Sequence, residues 1–349
     1  MRTTRTWAVA VLLLGPGCEL DQETAEEGEF VPEILPLPGE TSSYAPIGRY
    51  EPMRIPDDNP ITAEKAALGR QLFFDPRLSG DGSRSCYSCH LNDKGLSDGR
   101  PTAIGAFEKK LTRNSPTLWN IGYHAELYWD GRSKGLEAQA LAAWKGGNMG
   151  ASDPQPIVEK LNGIAGYRRQ FEHVFGGPST AESVAKALAS YMRTIVSRDT
   201  PWDRHVSGEE GAVSDAAGRG FEVFRKSKCD QCHSGSLFSD QQYHNVGIGM
   251  AAGEPDVGRL KVSQRKEDTG AFKTPTLRDV TDSAPYFHDG SVATLEEAVK
   301  IMAGGGIENP LLDRANLSKT ELTAAELSDL IEFLKALDEP GELAVPRLP

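Results

Sequence analysis

Apolar residues recur at helical spacing in several segments of the chain, whereas the alternation that marks strands is almost absent. Helices are predicted at 62–74, from Ser179 to Val196, and at 214–226, 294–302 and 323–337. Ser/Thr-x-x-Glu sequences that begin at 179, 294 and 323 predict capping boxes at three helix starts. Glycine-rich stretches such as 234–273 predict loops. The predicted fold class is therefore mainly α-helical with long loops.

An internal repeat divides this pattern into two halves. In each copy a Pro-Thr-Leu triplet is followed after eleven residues by Asp-Gly and after four more by Leu-Glu, and the copies begin at Pro116 and Pro275. The identical spacing indicates a duplicated structural unit. The polar stretch 199–211 is the predicted boundary between the halves. We therefore expect an N-terminal domain over 50–200 and a C-terminal domain over 201–349.

One Cys-x-x-Cys-His motif lies upstream of each copy of the repeat. The motifs consist of Cys86, Cys89 and His90, and of Cys229, Cys232 and His233. The two thiols can form thioether bonds to a haem and the adjacent imidazole can ligate its iron. A single Cys-x-x-Cys could also belong to a zinc site or a redox disulfide, but two copies that are each followed by histidine favour two c-type haems. The chain is thus predicted to contain two cytochrome c-like haem domains.

The amino terminus has the pattern of an export signal. Two arginines precede the apolar run Trp7–Leu14, which is too short to span a membrane as a helix. The signal is predicted to cover 1–18, and its last residues resemble a lipoprotein processing site at Cys18; the alternative is an ordinary secreted protein. Residues 19–49 are acidic and contain several prolines, which predicts a solvated tether. We expect a periplasmic or cell-envelope protein whose membrane contact is a lipid anchor.

The net charge restricts the class of partner, and the cysteine content restricts the possible disulfides. The formal net charge of −12 argues against nucleic acid and is compatible with a basic electron-transfer partner. Of the five cysteines, only Cys18 lies outside the two haem motifs, so no structural disulfide can form without sacrificing a haem.

The group opposite each histidine decides what each iron can do. An iron with two strong protein ligands transfers electrons, whereas an iron with an open face can bind peroxide or oxygen. In the second repeat Met302 lies seven residues after Leu295, on the same side of the predicted helix, and is a candidate axial ligand. The alternative is a core methionine. The equivalent residue of the first repeat is Ala143, which cannot ligate iron, so we predict one closed haem and one open haem.

Other residues stay open as ligands at this stage. They are His124, His173, His205, His244 and Met149, each of which is more often a surface or packing residue.

An open face needs polar groups that orient peroxide and handle its protons. The segment after Leu136 is predicted to cover this face, and it offers Gln139, Asn148 and Glu137. Glu137 has a repeat partner in Glu296, which favours a shared structural role. Trp129 lies directly before the first Asp-Gly and is either an electron relay between the haems or a packing residue.

Over residues 50–340 the chain resembles the bacterial di-haem cytochrome c peroxidase and MauG superfamily. The motifs that carry the resemblance are Leu72–Gly80 (LFFDPRLSG), Arg113–Thr117 (RNSPT), Tyr128–Arg132 (YWDGR) and Ala284–Gly290 (APYFHDG). The resemblance implies that the amino-terminal haem is peroxidatic and that the carboxy-terminal haem is its high-potential electron donor.

The resemblance also implies roles for individual residues. Met302 falls on the axial methionine of the peroxidases, where MauG-type members carry tyrosine. Trp129 falls on the inter-haem tryptophan and Gln139 on a distal glutamine. Asn114, with the backbone carbonyls of Ser283 and Pro285, falls on the inter-haem calcium site of the family.

Two positions depart from the pattern of the peroxidases. Ala106, after Ile104-Gly105, replaces the removable distal histidine of members that need reductive activation, so the first haem is expected to be open without activation. Asn148 replaces the distal glutamate, and an amide is a poor proton shuttle. The second departure leans toward protein-modifying relatives, including MbnH-like enzymes that oxidise a tryptophan of a partner protein.

These observations predict a peroxide-dependent di-haem oxidoreductase that reduces hydrogen peroxide with electrons from a small cytochrome c or a cupredoxin. One alternative is MauG- or MbnH-like oxidation of a tryptophan or tyrosine in a partner protein. The alternative from another class is a non-catalytic di-haem electron carrier.

Overall fold

The computed structural model describes residues 53–251, 253–339 and 341–349. The predicted export signal, the tether and Cys18 lie outside these residues. Within them, every helix is too short or too polar to cross a membrane.

Helices dominate the described part of the chain, which confirms the mainly α-helical fold class. The helices are α1 Ala63–Phe74, α2 Leu136–Lys145, α3 Gln155–Gly163, α4 Ala165–Phe175, α5 Ala181–Met192, α6 Pro201–Val206, α7 Asp215–Lys226, α8 Leu260–Ser263, α9 Leu295–Ala303 and α10 Ala324–Lys335. Two antiparallel pairs of two-residue strands join β1 Glu126–Leu127 to β2 Ser133–Lys134, and β3 Tyr243–His244 to β4 Phe272–Lys273. Long loops connect these elements.

The predicted helices α1, α7, α9 and α10 are confirmed to within about two residues of their predicted ends. Thr62 and Thr294 act as N-caps, and Thr323 forms a reciprocal capping box with Glu326.

The predicted start and end of α5 are wrong. The Ser179 hydroxyl and backbone N–H both bond to the Asn162 side chain at 2.8 Å, so the next residue, Thr180, caps the helix and pairs with Ser183. The helix ends at Met192 rather than Val196, because the N–H groups of Thr194 and Ile195 bond three residues back, to the carbonyls of Tyr191 and Met192, instead of four.

Two crossed helix pairs form the framework of the halves. Helix α1 packs on α5, and α7 packs on α10. A glycine lies at each crossing: a Cβ at Gly69 would collide with the Ala187 carbonyl, and a Cβ at Gly220 with the Asp329 carbonyl. The same local solution therefore lets both pairs approach closely. Phe73 is fully buried in the first core and Phe333 in the second.

The polar stretch 199–211 contains a helix, α6, that sequence analysis missed. Its Trp202 packs edge-on against Phe333 of the second core, with ring centroids 4.8 Å apart. Its Asp203 accepts two 2.7 Å bonds from the fully buried guanidinium of Arg278. The assignment of 201–349 to one domain stays a prediction, but α6 is tied to the second core.

The two copies of the repeat exchange backbone hydrogen bonds. The Asn114 N–H donates to the His288 carbonyl at 2.8 Å, and the equivalent Lys273 N–H donates to the Trp129 carbonyl at 2.8 Å. Tyr128 and its equivalent Phe287 are both left-handed, at φ 67° and 68°. The duplication seen in the sequence is thus a reciprocal packing of two similar loops.

Candidate functional site

The first motif folds into a 3₁₀ turn, Cys86–Cys89, beside an apolar cavity. His90 follows the turn, and its Nδ1 lies 2.8 Å from the Leu96 carbonyl. Because a carbonyl only accepts, Nδ1 carries the proton and Nε2 is left as the ligand atom. Burial also lowers the pKa of His90 to about 4, which keeps the ring neutral. Cys86, Cys89 and His90 line one cavity and therefore fit a covalently attached haem.

The second motif repeats this arrangement. His233 Nδ1 lies 2.9 Å from the Phe238 carbonyl, and burial lowers the pKa of His233. Cys229, Cys232 and His233 line a second cavity, whose walls are mainly apolar and include Met302. These residues also fit a c-type haem.

Equivalent faces of two helices cover the two cavities. Gln139, Ala140 and Ala143 of α2 line the first cavity. Their repeat partners on α9, Ala298, Val299 and Met302, line the second. The structure therefore places an alanine in one cavity wall where the other has a thioether.

The predicted polar groups Gln139 and Asn148 both lie in the wall of the first cavity. Asn148 follows the end of α2, and its carbonyl accepts a 3.0 Å bond from the Ala106 N–H. A Cβ at Gly105 would collide with the Gly147 carbonyl, so the loop that carries Ala106 packs directly on the Asn148 segment. The buried Ala106 offers no ligand atom at this position.

Two methionines complete the wall of the first cavity. Met149 was a candidate ligand from the sequence. Met192 of α5 was missed, because the helical pattern of α5 predicts that this residue is buried but not which cavity it lines. The Met149 backbone is fixed by a 2.7 Å bond from the Gly80 N–H to its carbonyl. Both side chains are buried with the first hydrophobic core.

Glu137 lies outside the first haem cavity. Its carboxylate accepts bonds of 2.6 and 2.9 Å from Arg193 and one of 2.6 Å from Asn59 Nδ2. This half-buried network ties α2 to the C-terminal end of α5 and is consistent with a structural role.

The structure places the four remaining candidate histidines in different environments. His173 and His205 are exposed and line neither haem cavity. His124 Nδ1 accepts a 2.7 Å bond from Lys273 Nζ. His244 reaches the second cavity, but its two ring nitrogens lie 2.6 Å from Asp313 and 2.9 Å from Asp240.

Hydrogen bonds hold His244 in its charged form. Although burial opposes it, the hydrogen bonds to Asp240 and Asp313 raise the pKa of His244 above its usual value, and the neighbouring Cys232 adds to this shift. Cys232, Asp240 and His244 lie close enough to share a metal ion, but Cys232 belongs to the second haem motif and both nitrogens of His244 are already bonded. This geometry favours a charged side chain beside the haem cavity over an iron ligand.

Trp129 lies between the two halves. It lines the second haem cavity and a neighbouring cavity bounded by both Pro-Thr-Leu loops, and its Nε1 donates to the Asn114 carbonyl at 2.9 Å. Asn114, Ser283 and Pro285 line the same neighbouring cavity. The Asn114 Nδ2 donates to the Arg100 and Pro285 carbonyls at 2.8 and 3.3 Å, so a cation here would require its amide to rotate.

Comparison with known proteins agrees with this architecture. A family model described as di-haem cytochrome c peroxidase matches residues 63–211, and a cytochrome c model matches residues 217–338. The cytochrome-c peroxidase IdrP1 of Denitromonas iodatirespirans is 38% identical over 344 residues, which cover 88% of this chain and 91% of that protein. The chain belongs to the di-haem cytochrome c peroxidase and MauG family.

Some relatives in the family are named cytochrome c peroxidase and others are named MauG. The methylamine utilization protein MauG of Methylorubrum extorquens is 39% identical, with 86% of each chain covered. The crystal structure of a MauG-like protein associated with microbial copper homeostasis has a TM-score of 0.77 and 35% identity, and the alignment covers 84% of this chain and 95% of that one. The protein is thus a di-haem peroxidase-type oxidoreductase with two cytochrome c-like domains, and membership implies two c-type haems.

Proposed function

We propose that this protein binds hydrogen peroxide in the first haem cavity and receives electrons for its reduction through the second. The observation that carries the proposal is the exchange of Met302 for Ala143 on equivalent helix faces. A haem held by Cys86, Cys89 and His90 would supply an iron with an open face, at which the O–O bond of peroxide can be broken. Met302 would occupy the corresponding face of the second haem.

Gln139 and Asn148 are proposed to orient peroxide. Both are amides in the wall of the cavity, and each can donate a hydrogen bond to one peroxide oxygen and accept one from the other. Neither amide can take up and return a proton near neutral pH. Water in the cavity must therefore carry the proton between the oxygens, which slows turnover relative to a site with a carboxylate.

Trp129 is proposed to connect the two haem sites. Its indole contacts the second cavity, and its Nε1 is fixed by the Asn114 carbonyl beside the first Pro-Thr-Leu loop. A rigid aromatic group at this place shortens the distance over which an electron must pass. Oxidising equivalents formed in the first half can thus be shared with the second.

A second candidate function is the oxidation of a partner protein's tryptophan or tyrosine. It is favoured by Asn148, because an amide is a poor proton shuttle and therefore argues against rapid turnover as a simple peroxidase. The similarity to a MauG-like structure is consistent with it. In the main proposal the electron donor is a small cytochrome c or a cupredoxin.

A calcium ion is proposed at the junction, held by the Asn114 side chain and the carbonyls of Ser283 and Pro285. These oxygen-bearing groups line one cavity, and such groups suit Ca²⁺. We also propose a periplasmic location with a lipid anchor at Cys18, which rests on the pattern of the amino terminus.

The functional test is steady-state peroxide consumption by the holoprotein with reduced cytochrome c or a reduced cupredoxin as donor. Sustained turnover supports the peroxidase proposal. Negligible turnover, together with an oxidised state that a tryptophan-containing protein discharges, supports the second candidate. No spectral response to peroxide would overturn both and leave an electron carrier.

A further inference from the structure

Two basic side chains meet at the junction of the halves. The Lys273 Nζ donates to His124 Nδ1 at 2.7 Å and to the Glu126 carbonyl at 2.7 Å. Lys273 is buried, and at this separation the two groups cannot both be protonated without strong repulsion. The pair can therefore carry one excess proton but not two.

The internal repeat gives this position a counterpart. Lys273 is equivalent to Asn114, His124 to Ser283, and the Glu126 carbonyl to the Pro285 carbonyl. The Asn114 side chain contacts the Pro285 carbonyl as the Lys273 side chain contacts the Glu126 carbonyl. At one position the predicted cation is a metal ion, and at the other the protein supplies its own ammonium group. Unlike a metal ion, an amine can lose its charge by losing a proton.

The pair connects three cavities. Lys273 lines the second haem cavity and the cavity between the halves, together with Trp129. His124 lines that middle cavity and a polar cavity of about 480 Å³. The wall of the polar cavity includes the exposed residues Arg54, Lys134 and Ser234, so the cavity reaches the surface. The pair thus lies between solvent and the second haem site.

We propose that Lys273 and His124 form a proton relay that couples proton uptake to the arrival of an electron at the C-terminal haem. Each electron that the C-terminal domain accepts from its donor is accompanied by one proton, which passes from water in the polar cavity through His124 to the Lys273 amine. When the electron leaves toward the N-terminal domain, the ammonium returns that proton to water. Charge in the buried junction is therefore balanced at each step.

The charges around the pair permit this exchange. Burial lowers the pKa of Lys273 to about 8, while Glu126 and Asp240 oppose the shift. Burial and the neighbouring Lys273 also hold the pKa of His124 well below its usual value. The two acids are already neutralised: Glu126 pairs with Arg259 at 2.9 Å, and Asp240 with His244 at 2.9 Å. The amine can therefore change its protonation state near neutral pH.

The test is a spectroelectrochemical titration of the C-terminal haem in the holoprotein between pH 6 and pH 10. The midpoint potential is expected to fall as pH rises through the region near 8, by up to about 59 mV for each tenfold fall in proton concentration. A potential that is independent of pH over this range would overturn the inference. The measurement rests on the proposed electron-transfer role of this haem but does not depend on peroxide turnover.

Three lysine variants separate charge from proton exchange. Lys273→Arg keeps a cation that cannot deprotonate, so its potential should be independent of pH and close to the low-pH value of the wild type. Lys273→Met removes the cation, so its potential should be lower and also independent of pH. Lys261→Met, which alters an exposed lysine of α8, should keep the wild-type slope. Retention of the wild-type slope by Lys273→Arg would overturn the proposal.

His124→Gln tests the route. Its amide oxygen can still accept from Lys273, but it cannot carry a proton. With a pH-indicator dye, the number of protons released on oxidation should be unchanged, while the rate of release should fall about tenfold or more. An unchanged rate would remove His124 from the relay. Peroxide turnover that persists while the potential ignores pH would overturn this inference alone, and the proposed function would stand.

Discussion

Asn114 and Lys273 occupy equivalent places in the two halves, and each donates its backbone N–H at 2.8 Å to a carbonyl of the opposite half. Asn114 reaches the His288 carbonyl, and Lys273 reaches the Trp129 carbonyl. The junction between the haem sites is therefore built by reciprocal exchange of one loop type. The two loops differ in side chain at this position: one carries the amide that is the proposed calcium ligand, and the other carries an amine.

The calcium proposal predicts the effect of Asn114→Ala. Loss of the one proposed side-chain ligand should weaken calcium binding about tenfold or more, although the carbonyls of Ser283 and Pro285 remain. Isothermal titration of chelator-treated holoprotein measures this change. Asn162→Ala, which removes an amide that bonds Ser179 far from the junction, is the control. Equal affinities in the two variants would contradict the assignment.

A buried aspartate predicts how stability depends on pH. Asp279 is the repeat partner of Asn120, and both are left-handed, at φ 57° and 59°. The Asn120 side chain bonds both the N–H and the carbonyl of Ser197, whereas the buried Asp279 carboxylate accepts from the Glu339 N–H and interacts with the Ser197 side chain. Burial raises the pKa of Asp279 to about 8. The free energy of unfolding should therefore fall as pH rises from about 4 to about 8, because the unfolded chain loses this proton more easily.

Asp279→Asn should remove that loss. Its amide can donate where the carboxylate cannot, and asparagine tolerates the left-handed conformation. Urea unfolding of the holoprotein should show a gain of about 1–3 kcal/mol at pH 8.5 and a smaller gain at pH 5. The mirror variant, Asn120→Asp, should lose stability at pH 8.5. A gain for Asp279→Asn that is the same at both pH values would refute the argument.

The equivalence of Ala143 and Met302 predicts a reciprocal pair of variants. Met302→Ala should change the low-spin signature of one haem and leave the other high-spin. Ala143→Met should convert part of the high-spin haem to low-spin and slow its reaction with peroxide, because a thioether can now occupy the open face. Electron paramagnetic resonance of the oxidised protein measures both. Met149→Leu and Met192→Leu should leave the wild-type spectrum unchanged, because neither side chain is expected to ligate iron. Additional high-spin haem in either variant would show that the substituted methionine is a ligand of the first iron.

The amide at position 148 predicts a gain of function. Asn148→Glu introduces a group that can take a proton from one peroxide oxygen and give it to the other, so peroxide turnover with reduced cytochrome c should rise about tenfold or more. In Asn148→Gln the new side chain is as long as glutamate but cannot act as an acid or base, so peroxide turnover should not rise. Equal rates for the glutamate and glutamine variants would mean that proton transfer at this position does not limit turnover.

Much of the fold was accessible from the sequence because its signals are local. Caps such as Thr323 and the apolar period of α7 depend on residues within a few positions. Both Cys-x-x-Cys-His motifs indicate a c-type haem directly. The repeat added the comparison of Ala143 with Met302, which needs only matched spacing. Gln139 and Asn148 could be placed in the first cavity because the repeat predicts that α2 and the residues after it cover the first haem as α9 covers the second.

Contacts between segments that are distant along the chain could not be predicted from the sequence. Ser179 lost its capping role to a bond with Asn162, and α6 was hidden because its buried pair, Asp203 and Arg278, consists of charged residues. The pairing of His124 with Lys273 also depends on how the two loops meet. No short-range pattern distinguishes a lysine that will be buried beside a histidine from one that will face solvent.

The central claim is the inequality of the two haem sites, and the most direct measurement is the electron paramagnetic resonance spectrum of the oxidised holoprotein before and after peroxide is added. We predict one high-spin and one low-spin haem, with the high-spin signal lost when peroxide reacts. Two low-spin haems that do not respond to peroxide would contradict the account.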